Sequence, residues 1–352
     1  MAGHAAFHPL RVAAVDQLTD DAVALTFDVP DELRADYAWS AGQHLNIACD
    51  DGVRRSYSIC TPPSSGRLRI GVKRLPGGHF SGEVLDALEV GDSLEVMTPA
   101  GRFTPRLDPT ATKVYAAVAA GSGITPVLSI LATVLEVEPA ARVTLVYANR
   151  THASVMFLDE IADLKDRYLE RFRVLHVLSR EEQEVELLSG RLDTPRFERL
   201  LDGLLPAKDV DEWFLCGPQA MVLELREVLD RLGAPAVHTE LFHAETAAPV
   251  ARVEADTVPG GSEVTVRLDG RSSTFALGTD DVPVLEAALR VRPDAPFACR
   301  GGVCGTCRAR VVEGSVVMDT NWALEPDELE RGYVLTCQSH PTTAKVVLDY
   351  DG

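Results

Sequence analysis

Four of the seven cysteines fall in one C-terminal stretch, Cys299, Cys304, Cys307 and Cys337. The spacing is Cys299-x4-Cys304-x2-Cys307, and twenty-nine residues separate Cys307 from Cys337. Thiolates are soft ligands suited to iron–sulfur clusters. A C-x4-C-x2-C run with a distant fourth cysteine is the plant-type [2Fe–2S] spacing, in which four thiolates hold two irons. Between the ligands, Gly301, Gly302 and Gly305 let the backbone wrap closely and take φ > 0 without penalty. Backbone N–H groups can then face the sulfurs. The other chemistry open to four cysteines is a structural zinc site. Zinc sites usually show two similar knuckles, so one three-cysteine loop with a remote ligand favours iron–sulfur. Cys49 and Cys60 read as buried core residues.

A one-electron centre needs a donor, and three further motifs could build one. Arg55-Ser56-Tyr57-Ser58 has strand character, and alternation puts Arg55 and Tyr57 on one face. There an arginine can pair with a phosphate and a tyrosine can lie against a flat ring system. Ser58 could hydrogen-bond a ring nitrogen. Gly77-Gly78-His79-Phe80-Ser81 precedes a helix-like run over residues 83–88, and glycines at a helix N-terminus offer N–H groups to a phosphate. Lys73 and Arg74 add positive charge nearby. Gly121-Ser122-Gly123-Ile124-Thr125-Pro126 joins an apolar run to a helical pattern, and Cys216-Gly217-Pro218 ends a later apolar run. In an open α/β sheet both would adjoin the nucleotide crevice.

The elements needed to position these residues are legible in outline. Residues 1–108 read as short strands at 23–29, 45–48, 56–60 and 68–73, punctuated by Gly and Pro, and predict an antiparallel β-barrel. In the first of these, alternation predicts a half-buried strand. Residues 109–243 alternate apolar strands (114–119, 143–147, 173–178, 213–215) with helices (126–135, 157–164, 220–232), which predicts an open parallel α/β sheet. Residues 244–258 lack periodicity and read as a linker. In residues 259–352, Asp269-Gly270 between two strand-like runs signals a hairpin, a helix follows at 284–290, and the cysteine loop leads into a strand at 309–312.

With 352 residues, several domains are expected. The net charge of −19 excludes nucleic acid as the main partner, because phosphate binding needs a basic surface. Residues 114–135 carry no charge, but Gly121, Gly123 and Pro126 in their middle argue for strand, turn and helix rather than a membrane span. The N-terminal MAGHAAFHPL shows no secretory pattern. A cytoplasmic chain, with cysteines not paired as disulfides, is the expectation.

Together these motifs resemble the ferredoxin–NADP reductase superfamily with a ferredoxin fused at the C-terminus. The resemblance covers nearly the whole chain, and its order of barrel, nicotinamide domain and β-grasp ferredoxin is similar to the reductase components of multicomponent oxygenases. Residues 299–339, with the run MDTNWALEPDELERGYVLTCQSHP, are most similar to the branch that serves phenylacetyl-CoA epoxidation. Relatives serving steroid hydroxylases and acyl desaturases share the architecture.

The resemblance implies roles by position. Arg55, Tyr57 and Ser58 would contact the flavin phosphate and ring. Val72, Lys73, Gly78, Phe80 and Ser81 would line its ribityl and phosphate side. Gly121, Gly123, Thr125 and Pro126 would meet both cofactors. Cys216, with Gly217 and Pro218, would lie near the nicotinamide C4, Glu240 would assist proton relay, and Phe242 would cover the ring. Ser58, Cys216 and Glu240 are the catalytic candidates. The residues suit FAD or FMN alike, and the resemblance implies FAD.

Coenzyme choice has a physical argument of its own. An acidic residue after the second strand binds NAD ribose, and a basic one accepts the 2′-phosphate of NADP. Here Asn149-Arg150 ends that strand with Ser154 close by, which favours NADPH over NADH. Electrons would pass from NADPH through flavin and cluster to an external diiron oxygenase, since the sequence shows no pair of Glu-x-x-His motifs with diiron spacing. An electron carrier fed by a partner and a zinc-stabilised interaction module are the competing readings.

Overall fold

The computed structural model describes residues 6–49, 54–75, 77–242, 261–278 and 282–352. They divide into two compact bodies, one ending at Phe242 and one formed by the C-terminal residues. The linker expected at 244–258 lies outside the described residues, as do the boundaries at 243 and 259.

In the first body, strands β1 (Phe7–Thr19), β2 (Ala22–Asp28), β3 (His44–Ala48), β4 (Arg54–Ser58), β5 (Leu68–Lys73) and β6 (Ser93–Met97) form an antiparallel sheet in the order β4-β3-β6-β1-β2-β5. An antiparallel bridge from Ile59 to Ile70, with Cys60 N–H donating to the Arg69 carbonyl at 2.9 Å, joins the two ends and closes the barrel. Leu25, Leu45, Ile47, Ile70 and Val96 fill it, each with 0% exposure. Strand β2 departs from the expected half-burial. Val23, Leu25 and Phe27 enter the barrel core, while Ala22 and Ala24 on the other face are equally buried, against the core of the neighbouring α/β layer. Small side chains there let the two layers pack closely, so both faces are dry. The helix expected at 83–88 starts earlier, as a π-helical segment His79–Val84 that runs into α1 (Leu85–Ala87).

The rest of this body is a parallel sheet, with β7 (Val114–Ala120), β8 (Arg142–Asn149), β9 (Phe172–Leu178), β10 (Glu212–Cys216) and β11 (Val237–Glu240) in the order β11-β10-β7-β8-β9. Helices α2 (Ile124–Val137), α3 (Leu158–Arg167), α4 (Thr194–Gly203) and α5 (Gln219–Leu232) connect the strands. The uncharged run 114–135 is strand, tight turn and helix, as expected. No helix among the described residues is long and apolar enough to cross a membrane. Helix α4 and strand β11 were not foreseen. The first begins at an Asp193 cap that accepts from Arg196 N–H at 3.1 Å, and the second has only four residues. Strand order reverses between β7 and β10, which makes their carboxyl ends a topological switch point, the place where such sheets bind ligands.

The second body is a β-grasp. Strands β12 (Ser262–Leu268), β13 (Arg271–Leu277), β14 (Arg308–Glu313), β16 (Tyr333–Leu335) and β18 (Lys345–Asp349) form the sheet β13-β12-β18-β14-β16, with a side ladder of β15 (Val316–Met318) and β17 (Ser339–Pro341). Only β12 and β18 run parallel. The Asp269-Gly270 hairpin forms, with φ of 55° and 68°, the conformation that Asp-Gly favours. Helix α6 (Val284–Val291) buries Val284, Leu285 and Ala288 completely, and α7 (Pro326–Glu330) follows β15.

Candidate functional site

Strand β4 delivers the first group. Arg55 and Tyr57 are half-buried on it, and the Tyr57 ring lies 5.2 Å from that of Phe80, centroid to centroid. Phe80 itself is 1% exposed, so it backs the tyrosine from inside. Gly78 is required by packing, since a Cβ there would overlap the Ser81 hydroxyl, which accepts from Leu75 N–H at 3.2 Å. Around Gly77 and Gly82 nothing stands within 4 Å of where a Cβ would be, leaving that backbone open to an anion. Two expectations change. Val72 has 0% exposure in the barrel core, so its side chain cannot line a cofactor. Lys73 and Arg74 are not free charges, being paired with Asp21 (3.4 Å) and Asp86.

The second group meets at the switch point. A Cβ on Gly123 would overlap the Cys216 carbonyl, and one on Gly217 would stand 2.8 Å from Met221 Cε and 3.0 Å from Ala120 Cβ. These glycines let the loops after β7 and β10 touch. Gly121 instead has φ +54° and open space where its Cβ would be, so a ligand can approach its backbone. Its carbonyl accepts from Tyr147 OH at 3.0 Å. Thr125 is 1% exposed and donates to the Ser122 carbonyl at 2.9 Å, fixing the loop at the start of α2, where Pro126 is buried.

The three catalytic candidates come together there. Ser58 Oγ donates to Glu240 Oε2 at 3.1 Å, and Cys216 is the register partner of Glu240 in the parallel pair β10–β11. Glu240 keeps partial solvent contact, yet the protein packed around its carboxyl raises its pKa to about 8, partly offset by the Ser58 bond. It therefore holds a proton at neutral pH. Cys216 has 0% exposure, and burial, with Glu240 adding to it, pushes its thiol far up. A thiol of that kind is no nucleophile, and at 0% exposure its side chain, like that of Val72, presents no surface to a cofactor, so it shapes the turn from beneath. Phe242 packs partly buried against the same core.

At the rim, Asn149 ends β8 and Arg150 follows it, exposed. The Ser154 hydroxyl is committed to its own loop, donating to the Thr151 carbonyl at 2.7 Å in a capping box. One residue that sequence reasoning missed is beside Arg150. Arg180 N–H donates to the Arg150 carbonyl at 2.8 Å, so two exposed arginines leave adjacent strand ends. Neither side chain forms an ion pair among the described residues. The signal was Ser179-Arg180 directly after the third strand.

In the second body the thiols fall in two pairs, Cys299 with Cys304 and Cys307 with Cys337. Gly301 N–H donates to Cys299 Sγ at 3.4 Å, and N–H groups of Val303 and Cys304 face the same sulfur. The Cys304 thiol and these N–H groups hold Cys299 below the ordinary thiol range. The Thr306 hydroxyl is buried beside Cys304 without an oxygen or nitrogen partner. Gly302 and Gly305 adopt φ of 75° and 67°, and so, unexpectedly, does Arg300 at 53°. Its guanidinium is held over the Phe297 ring at 4.5 Å and by Glu286 at 3.4 Å. Two thiol pairs ringed by N–H donors fit two bridged irons.

A flavin-type barrel, a nucleotide crevice beside it and a separate four-thiolate domain define a nicotinamide-dependent flavin and iron–sulfur oxidoreductase. Comparison with known families agrees. The families described as oxidoreductase FAD-binding domain, oxidoreductase NAD-binding domain and 2Fe-2S iron–sulfur cluster binding domain match residues 9–104, 117–227 and 266–342. The family matched by the barrel is the FAD-binding one, in line with the flavin the resemblance implies. The chain is 44% identical to one of the subunits of the 1,2-phenylacetyl-CoA epoxidase of Escherichia coli K12, over 98% of each chain. It is 33% identical to a 3-ketosteroid-9-alpha-monooxygenase ferredoxin reductase component of Rhodococcus rhodochrous, over 97% of this chain and 96% of that one. Among solved structures, phthalate dioxygenase reductase, described as a modular structure for electron transfer from pyridine nucleotides to [2Fe–2S], matches with a TM-score of 0.59 and 26% identity, over 97% and 98% of the two chains. The chain belongs to the family of ferredoxin-reductase-type enzymes that join FAD, NAD(P) and [2Fe–2S] domains in one polypeptide.

Proposed function

We propose that this protein is the reductase component of a diiron epoxidase acting on phenylacetyl-CoA, drawing electrons from NADPH in the cytoplasm. The observation that carries the electron-input half is the meeting of Ser58, Cys216 and Glu240 at the switch point of the parallel sheet. The 44% identity over both full lengths supports the choice of partner over the steroid-hydroxylase relatives. A flavin held by these residues would supply the step-down from a two-electron hydride donor to a one-electron cluster.

The chain's own residues prepare that exchange. Tyr57, backed by Phe80, gives a flat face for the flavin ring. The loop from Gly121 to Pro126 and the Cys216–Pro218 turn hold the nicotinamide end of the coenzyme. Glu240 keeps a proton next to Ser58. Arg150, joined by Arg180, offers the 2′-phosphate a charge-assisted partner, which supports NADPH over NADH. Cys299, Cys304, Cys307 and Cys337 hold the exit centre.

The test is anaerobic titration of the purified yellow-brown protein with NADPH. Both flavin and cluster absorption should bleach, and the reduced protein should support epoxidation by the diiron component. If dithionite bleaches both bands but neither NADPH nor NADH does, the protein is a carrier fed by a partner.

A further inference from the structure

One side chain near the cluster bridges the two ends of the ligand set. Gln338 Nε2 lies 2.8 Å from the Arg300 carbonyl, 3.0 Å from the Cys337 carbonyl and 3.6 Å from Cys337 Sγ. Arg300 sits inside the three-cysteine loop, 38 residues away in sequence, and Cys337 is the remote ligand. The amide has two hydrogens. One goes to Arg300, and the other is shared between the Cys337 carbonyl and its sulfur. The stem of Gln338 is fixed too. Its Cγ would stand 3.2 Å from a Cβ on Gly302, and its backbone carbonyl accepts from Asp319 N–H at 2.9 Å. The donor is thus held in place on both sides.

We infer that Gln338 is a tuning residue for the [2Fe–2S] centre, raising its reduction potential by donating to the Cys337 thiolate. The inference rests on the cluster assignment above. Reduction adds one electron and breaks no bond, and the added negative charge is shared onto the thiolate sulfurs. An N–H dipole aimed at such a sulfur favours the reduced state over the oxidised one. Among the described residues, the N–H groups at Cys299 and the other N–H at Cys337 are backbone, from Gly301, Val303 and Cys304 and from Gly302. The Gln338 amide is a side-chain donor, so it can be changed without redrawing the backbone.

The experiment uses the full chain with both cofactors, as Gln338→Glu and Gln338→Leu. Glu keeps the shape but replaces the donor with an acceptor, and Leu removes hydrogen bonding. A mediated redox titration, followed by visible absorbance and by the electron paramagnetic resonance of the reduced cluster, reads the cluster potential. The flavin potential in the same titration is the internal control. Both variants should shift the cluster downward by about tenfold in the equilibrium constant of reduction, about 59 mV for one electron, with Glu shifting at least as far as Leu. An unchanged potential in variants with full iron content would overturn the inference. So would loss of the cluster from both, because Gln338 would then be a clamp and not a tuning donor. A parent protein that carries no cluster would instead overturn the functional reading itself.

Discussion

Gly71→Ala should cripple the coupling between barrel and nucleotide layer. On β5, Ile70 and Val72 point into the barrel, and Gly71 faces the other way. A Cβ at position 71 would stand 2.7 Å from Thr125 Cγ2 and 3.0 and 3.1 Å from Phe157 Cζ and Cε2. Ordinary contact begins at 3.4 Å, so the layers must open by about 0.7 Å or the side chains must yield. Neither neighbour yields easily. Thr125 is 1% exposed and anchored to Ser122. Phe157, also 1% exposed, sits at φ 58° with its ring 5.5 Å from the Arg69 guanidinium, which is itself tied to Asp16 and Glu160 at 3.1 Å each. Overpacking of this kind costs about 1–3 kcal/mol, and each kcal/mol lowers Tm by about 2–4 °C in a body of this size. The catalytic effect should exceed the stability effect, since displacing the Thr125 loop by a large fraction of an ångström can cost about ten- to a hundredfold in rate. Stopped-flow bleaching of the flavin at saturating NADPH, with melting and NADP⁺ affinity on the same samples, measures all three. The decisive arm is Gly71→Ala with Thr125→Ser, which deletes the opposing methyl and keeps the hydroxyl. The double variant should be faster and more stable than Gly71→Ala alone. Strict additivity of the two substitutions, or a Gly71→Ala protein indistinguishable from the parent, would refute the reasoning.

Three further outcomes are expected. Glu240 is neutral below its pKa of about 8, so if it supplies a proton, flavin reduction falls as pH rises through about 8. Glu240→Gln should abolish that alkaline limb and lower the neutral rate by about a hundredfold, and persistence of the limb would clear Glu240 of the role. Cys304→Ser should lose cluster absorption and electron delivery to a protein acceptor while keeping NADPH–ferricyanide activity, and parallel loss of both activities would show that the two bodies do not work independently. Arg150→Ala should weaken NADPH binding by about ten- to a hundredfold, the worth of one charged hydrogen bond, and leave NADH almost unchanged. Equal losses would remove the 2′-phosphate role.

What could be seen in the sequence, and what could not, follows the range over which each feature is written. The thiolate set lies in one loop plus one residue, so its spacing alone carried the chemistry. The apolar runs that became β7, α2, β8 and β10 are long enough for their period to show, and they fixed the layer in which the crevice lies. Charges were legible as residues but not as pairs. Lys73 and Arg74 looked available until Asp21 and Asp86 neutralised them, and Arg180 went unnoticed because only the pairing of neighbouring strand ends sets it beside Arg150.

The least legible element matters most to the proposed chemistry. Strand β11 spans four residues, Val237–Glu240, too few for any alternation to stand out. Yet its parallel register with β10 sets Glu240 opposite Cys216, and the same register brings it within 3.1 Å of Ser58, 182 residues away. No local propensity encodes that contact. It arises because β11 adds to the edge of a sheet whose other strands are fixed by burial, so its register is inherited from β10. The pKa of Glu240 is inherited in turn, since the layers closing around β11 supply the burial that raises it. The chemistry of the electron exit is therefore written in the spacing of a loop, and that of the entrance in the register of a strand.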